Sequence, residues 1–137
     1  SPEEMEQFKK VNGLAEYILS KQKLYAELNT ATENDLPLNK YSITNCDLFM
    51  QYISYYLRHR PDINPGMTLL VRQLASSTQG MPIELYAFTN TTVWAEYEQI
   101  IAEVMNYLIS VIAFFNLTLH EESTGSDDYN VNMKRLE

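Results

Sequence analysis

Met67-Thr68-Leu69-Leu70-Val71-Arg72-Gln73-Leu74 and Ile83-Glu84-Leu85-Tyr86-Ala87-Phe88 are the two runs on which the fold turns. Both are rich in aliphatic and aromatic residues, and the polar run Ala75 to Pro82, carrying Ser76, Ser77 and Gly80, divides them. Two such runs across a polar loop predict an antiparallel hairpin. Strand alternation sends Ile83, Leu85 and Ala87 to one face and Glu84, Tyr86 and Phe88 to the other. Val71 and Leu85 are then expected in a core beneath the sheet. Leu70, Leu74, Tyr86 and Phe88 form an open face that needs a cover, either the N-terminal helix or another subunit. Arg72 and Glu84 are expected to pair across the strands, at a few tenths, roughly, of a kcal/mol.

Helices flank the hairpin on both sides. After it, Asn90-Thr91-Thr92 offers a hydroxyl cap, and Glu96 and Glu98 favour a helix N-terminus. Tyr97, Ile100, Ile101, Val104, Leu108, Ile112 and Phe115 mark the best amphipathic helix in the chain, with Ile101, Val104 and Leu108 toward the core. Leu117 to His120 follows as a strand. Before the hairpin, Thr44 with Asp47 three residues on imitates a capping box. Phe49, Tyr52, Ile53, Tyr56 and Leu57 form one apolar face behind it, until Pro61 stops the helix. Leu38 to Ile43 reads as a short edge strand.

The order strand, helix, strand, strand, helix, strand is the split β-α-β pattern. The expected fold is α+β and ferredoxin-like, a four-stranded antiparallel sheet with two helices on one face, over residues 37–121. Residues 1–36 are a helical lead-in. It starts at Ser1-Pro2-Glu3-Glu4, with a hydroxyl cap, an early proline and two carboxylates. Met5, Phe8, Val11, Ala15, Ile18, Leu19, Tyr25 and Leu28 keep a rough helical period, and Gly13 is its expected break. Residues 122–137 read as a flexible tail, from the composition of Ser123 to Asp128.

The chain has 137 residues and a net charge of −8, from 10 basic against 18 acidic residues. That size suffices for one domain core without disulfide or metal. The acidic balance argues against nucleic acid as a partner, because such affinity comes from neutralising phosphates. It argues equally against an anionic lipid surface. RNA stacking on Tyr86 and Phe88 is disfavoured by the same charge and by Glu84 beside them. No unbroken apolar run reaches membrane-spanning length, and no basic, apolar leader opens the chain. The chain starts without Met and closes on Leu136-Glu137, which reads as an excised piece of a longer product with a cloning scar.

Catalytic candidates are few. His59 lies between Arg58 and Arg60 at a helix end, where its cation would meet the dipole. His120 has no second histidine or cysteine at ligand spacing. Cys46 is alone, which excludes an internal disulfide; it sits in a helix's first turn but reads better as a small buried residue. Asp127-Asp128 lacks the rest of a calcium loop, and Gly80 and Gly125 stand too isolated to cradle phosphate. The reading is therefore no enzyme, no metal and no cofactor.

Met67 to Leu74, then Gly80-Met81-Pro82-Ile83-Glu84-Leu85-Tyr86-Ala87-Phe88-Thr89, resembles the C-terminal cytosolic domain of bacterial small-conductance mechanosensitive channels. Within that family it is most similar to the miniconductance branch, where a Thr-rich cap and a Trp-x-x-Tyr-Glu helix start follow the hairpin. Here these are Thr91-Thr92 and Trp94, Tyr97 and Glu98. The likeness extends back through Thr44-Asn45, Tyr56-Leu57 and Pro61-Asp62-Ile63 to Leu14, Glu16-Tyr17 and Asn29, so it covers about residues 5 to 121.

The resemblance implies a sevenfold homo-oligomer (a heptamer) whose cytosolic parts form a vestibule below a pore in the bacterial inner membrane. Membrane tension opens such a pore and releases ions and small osmolytes in hypo-osmotic shock. This chain carries neither the pore-lining helix nor the small β-domain of that family, so contact with membrane runs through segments outside it. Interface or structural roles are expected for Trp94, anchoring the helix start against the hairpin, and for Tyr86, Phe88, Arg72 and Glu84. The alternative is a soluble regulatory or scaffolding domain of ferredoxin-like fold with no channel attached.

Overall fold

Ser1 accepts a hydrogen bond from Glu4 N at 3.2 Å and so caps helix α1 (Pro2–Phe8), with Pro2, Glu3 and Glu4 in the first turn. The computed structural model describes residues 1–30, 41–120 and 132–135. Gly13 takes φ of 83°, a backbone shape that a side chain would disfavour, and breaks the lead-in as expected. Helix α2 (Ala15–Thr30) follows. Ile18 on it is buried, whereas Leu19, Leu24 and Leu28 are exposed.

The described chain divides into two compact units, Ser1–Leu48 and Phe49–Glu137. The division falls inside helix α3 (Asn45–Arg58) rather than between residues 36 and 37. Hydrogen bonds explain why residues 41–48 belong with the first unit. Asn29 receives Tyr41 N on its Oδ1 at 2.7 Å and gives its Nδ2 to Tyr41 O at 3.0 Å. Tyr25 stacks on Tyr41, with ring centroids 5.7 Å apart. A side-chain amide thus satisfies both main-chain groups of Tyr41, as a neighbouring strand would. Residues 41–43 form no strand; the rest of the expected edge strand, 38–40, lies outside the described residues.

Thr44 caps α3 as its spacing predicts, receiving Asp47 N at 3.1 Å. The reciprocal half of the capping box is replaced by a longer reach: Tyr17 Oη donates to both oxygens of Asp47 at 2.8 Å. Burial first, and then this bond to a carboxylate, push the Tyr17 phenol far above the usual tyrosine range. Tyr17→Phe should therefore lower stability by about 1 kcal/mol, with the Thr44 cap intact, and remove one late-ionising phenol. Urea melts and alkaline difference absorbance check both effects.

In the second unit, Phe49, Ile53 and Leu57 recur every fourth residue on α3 and are buried. They share a core with Val104, Leu108, Ile112, Phe115 and Leu117. Phe49 and Phe115 meet with centroids 5.1 Å apart, and Tyr52 lies 5.6 Å from Phe115. Tyr56 stacks on Tyr107 at 4.3 Å, and the hydroxyls of Tyr52 and Tyr107 are hydrogen-bonded. Helix α4 (Trp94–Val111) runs into a 3-10 turn at Ile112–Phe115. Asn116, at φ of 57°, then turns the chain into strand β3, a left-handed position that asparagine tolerates. By length and average composition, Trp94–Phe115 is long and apolar enough to cross a membrane. The expectation that no segment qualifies counted unbroken apolar runs, and the longest, Tyr107 to Leu119, is interrupted by Ser110, Asn116 and Thr118.

The fold is α+β, with two small antiparallel pairs. Strands β1 (Leu70–Gln73) and β2 (Ile83–Tyr86) pair in the register Leu70↔Tyr86, Val71↔Leu85, Arg72↔Glu84 and Gln73↔Ile83. Strand β3 (Leu117–His120) pairs with β4 (Asn132–Arg135), with Leu117 opposite Arg135. A strand here departs from the flexible tail expected over 122–137. That expectation came from Ser123 to Asp128, which lie outside the described residues, as does the Asp127-Asp128 pair. Beyond β2 the main chain holds a second partner. Asn64 N donates to Phe88 O at 2.8 Å, and Asn90 N to Asp62 O at 2.9 Å, which sets Ile63 opposite Thr89.

Candidate interaction surface

The hairpin tip decides which faces the strands present. Ser77 and Gly80 exchange main-chain hydrogen bonds at 2.9 and 3.1 Å around Thr78-Gln79, and Gly80 takes φ of 110°. Leu74 N donates to Pro82 O at 2.9 Å and locks the register behind the tip. Alternation then places Leu70, Arg72 and Leu74 on one face with Glu84, Tyr86 and Phe88, as the spacing predicts. Leu70 is 49% exposed, Tyr86 directly opposite it 47%, and Leu74 is exposed as well. Phe88 is half-buried and meets Tyr86 edge to face at 5.3 Å.

Arg72 and Glu84 stand opposite each other in the register. Arg72 Nε donates to Glu84 Oε1 at 2.9 Å and Nη2 approaches the same oxygen at 2.7 Å. This is the expected cross-strand pair; its two side chains are exposed enough to keep its contribution small. It sits amid the apolar face, in the register that the main-chain bonds set.

Trp94 does not anchor the helix start. It is 73% exposed and stacks on Tyr97 at 6.1 Å. The cause lies in the cap. Val93, rather than Asn90, Thr91 or Thr92, is the cap residue and makes no side-chain cap bond. Thr91 Oγ1 instead receives Val93 N at 3.1 Å and donates to Glu96 Oε2 at 2.6 Å, which starts the helix late and leaves Trp94 facing solvent.

The opposite face of the hairpin is less filled than expected. Val71, Leu85 and Ile101, expected in a closed core, are only half-buried. A cavity of about 610 Å³ separates β2 from the helices, lined by Leu57, Ile63, Leu85, Ile101 and Met105 among others. Val104 and Leu108 are buried as expected.

Sequence reasoning missed the polar cluster that closes α3. Arg60 donates through Nε to Asp62 Oδ1 at 2.8 Å and through Nη2 to Asp62 Oδ2 at 2.6 Å, a two-pronged pair. Its Nη2 also reaches Glu103 Oε2 at 3.1 Å, and Nη1 donates to Tyr56 Oη at 2.9 Å. Asn90 Nδ2 adds a bond to Pro61 O at 2.8 Å. The signal available was Arg60-Pro61-Asp62: a helix-terminal cation, a stop, and an anion two residues on. Bonding to Arg60 outweighs burial and holds the Asp62 carboxyl below the usual range. Because the folded value is the lower one, the pair stabilises above the unfolded carboxylate pKa. That contribution is lost as pH falls through the folded value. Urea melts should show Asp62→Asn less stable than the parent at neutral pH, with the difference vanishing below the ordinary carboxylate range.

Chemistry-bearing residues do not converge. His59 Nδ1 lies 2.9 Å from Tyr55 O, and its exposed ring lies 4.1 Å from that of Tyr55. Cys46, expected as a small buried residue, is half-buried, and burial, with next the Asp47 charge, pushes its thiol up. His120 Nδ1 is buried with no hydrogen-bond partner among the described residues. Nor do three His, Cys, Asp or Glu side chains group as a metal site among the described residues. What the arrangement offers among the described residues is a surface: an exposed apolar face on one hairpin. No family model matches the chain, and no solved structure matches it.

Proposed function

We propose that this chain is the cytosolic vestibule domain of a mechanosensitive ion channel of the small-conductance family, miniconductance branch. Within the full channel it holds seven subunits in register below the membrane pore, on the cytoplasmic side of the bacterial inner membrane. The observation that carries the reading is the exposed hairpin face, Leu70, Leu74 and Tyr86, on the segment that bears the family resemblance. Three large apolar side chains on one small face are costly in water and suit a contact between copies. The finer fold, a four-stranded ferredoxin-like sheet, belongs to this reading and requires a further strand at the edge of β2 that no strand occupies among the described residues. The chain's role is assembly; tension sensing and conduction belong to segments outside it.

The coding sequence directly upstream of Ser1 tests this reading. Transmembrane segments ending in a pore-lining helix are the expected finding. An upstream region with none would leave the soluble regulatory or scaffolding domain as the better account.

A further inference from the structure

Trp94 is the only tryptophan in the chain and, at 73% exposed, the barest large apolar side chain among the described residues. Its indole stacks on Tyr97, which holds it in place at the start of α4. Trp94, Tyr97 and Ile101 recur every three or four residues, so they share one side of that helix. Tyr97 and Ile101 border the cavity under Leu85, which puts Trp94 on the helix side of the hairpin. Leu70, Arg72 and Leu74 alternate to the other side of the sheet, and none of them borders that cavity. A subunit therefore cannot lay its own Trp94 on its own open hairpin face without crossing the sheet.

Resting on the ring assembly proposed above, we propose that Trp94 of one copy docks on the hairpin face of the next, its indole over the Arg72 guanidinium between Leu70 and Leu74. Neighbours in a ring meet through two different surfaces, so the hairpin face requires a partner patch elsewhere on the subunit. The Arg72 side chain is 59% exposed, and Glu84 engages it through Nε and Nη2, which lie in the guanidinium plane. The flat face of the cation stays open, and an indole is the ring that cations favour most. Stacking on Tyr97 lowers the ordering cost that a mobile side chain would carry into the contact. Copies that each carry −8 approach best where like charges do not oppose. The hairpin face meets that condition, because Arg72 and Glu84 cancel there, whereas Glu96 and Glu98 flank Trp94. Two Trp94 patches set face to face would bring those carboxylates together.

Emission of the single tryptophan tests the contact on the whole 137-residue chain, read beside sedimentation equilibrium from ~1 to ~200 μM in ~0.5 M salt. The emission should move to the blue as copies associate, since a covered indole leaves water. Leu70→Ser lies across the sheet from Trp94 of its own copy. It should weaken association at least ~10-fold and keep the emission at its solvated position, with unchanged circular dichroism. Arg72→Gln should weaken association less, by about 3-fold. Oligomers whose Trp94 emission does not move would overturn the contact and leave the ring reading standing. A chain that stays monomeric throughout would overturn it as well, and so would association and emission that Leu70→Ser leaves unchanged. A blue shift in a particle that stops at the dimer would support the contact and count against the sevenfold reading. Should Leu70→Ser fail to fold, acrylamide quenching of the parent chain decides: it must fall as concentration rises.

Discussion

Phe115→Ala is expected to cost the chain about 3–5 kcal/mol, the largest single loss of any substitution considered. Phe115 is 1% exposed, sits in the 3-10 turn that ends α4, and meets both Phe49 and Tyr52 through its ring. Removing the ring leaves a void between two helices and a strand, none of which can close over it without losing its own contacts. Leu85→Ala should cost much less, below ~2 kcal/mol, because Leu85 is half-buried and already borders empty space. Denaturant melts of the two variants rank them. A Leu85 loss equal to that of Phe115 would place the core under the hairpin rather than between α3 and α4.

Arg60→Leu is expected to cost about 2 kcal/mol, from the loss of charge-assisted bonds to Asp62 and Glu103 and the bond to Tyr56 Oη. The Arg60 side chain is 16% exposed and its partners more so, which keeps the figure below that of a fully buried pair. Direction matters as much as size. Arg60 ties the end of α3 to α4 through Glu103, and through Asp62 to the segment that pairs with residues 88–90. Arg60→Lys keeps the charge but loses the two-pronged geometry, so it should fall between Arg60→Leu and the parent. Equal stability for Arg60→Leu and the parent would reduce the cluster to a solvated surface pair.

What the sequence made legible follows from short-range rules. The Ser1 and Thr44 caps, the Gly13 break and the Phe49-Ile53-Leu57 stripe were readable from spacing within a few residues, and the Arg72–Glu84 pair from strand alternation on the two sides of one loop. The misread features turn on side-chain hydrogen bonds and packing that period and composition do not specify. Tyr41 was expected in a strand because it alternates with Ile43, yet Asn29, twelve residues back, supplies its hydrogen bonds. Trp94 was expected to anchor the helix start against the hairpin, yet Thr91 receives Val93 N, the helix starts at Trp94, and the indole is exposed. Leu85 sits on the face that alternation assigns it, but alternation says nothing of whether that face is filled. The Arg60 cluster unites residues 56, 60, 62 and 103, a grouping that no local pattern encodes.

The candidate surface was half legible for the same reason. Leu70, Leu74, Tyr86 and Phe88 share a face by period-two alternation, which sequence reveals. How far that face stays exposed depends on what lies beside the strands in space.

Electrical recording from membrane patches carrying the full-length polypeptide, with and without residues 1–137, tests the central claim most directly. Loss of these residues is expected to reduce assembly or to alter gating and desensitisation under tension, with the pore's narrowest constriction unchanged. Normal expression, assembly and tension response after the deletion would contradict the account.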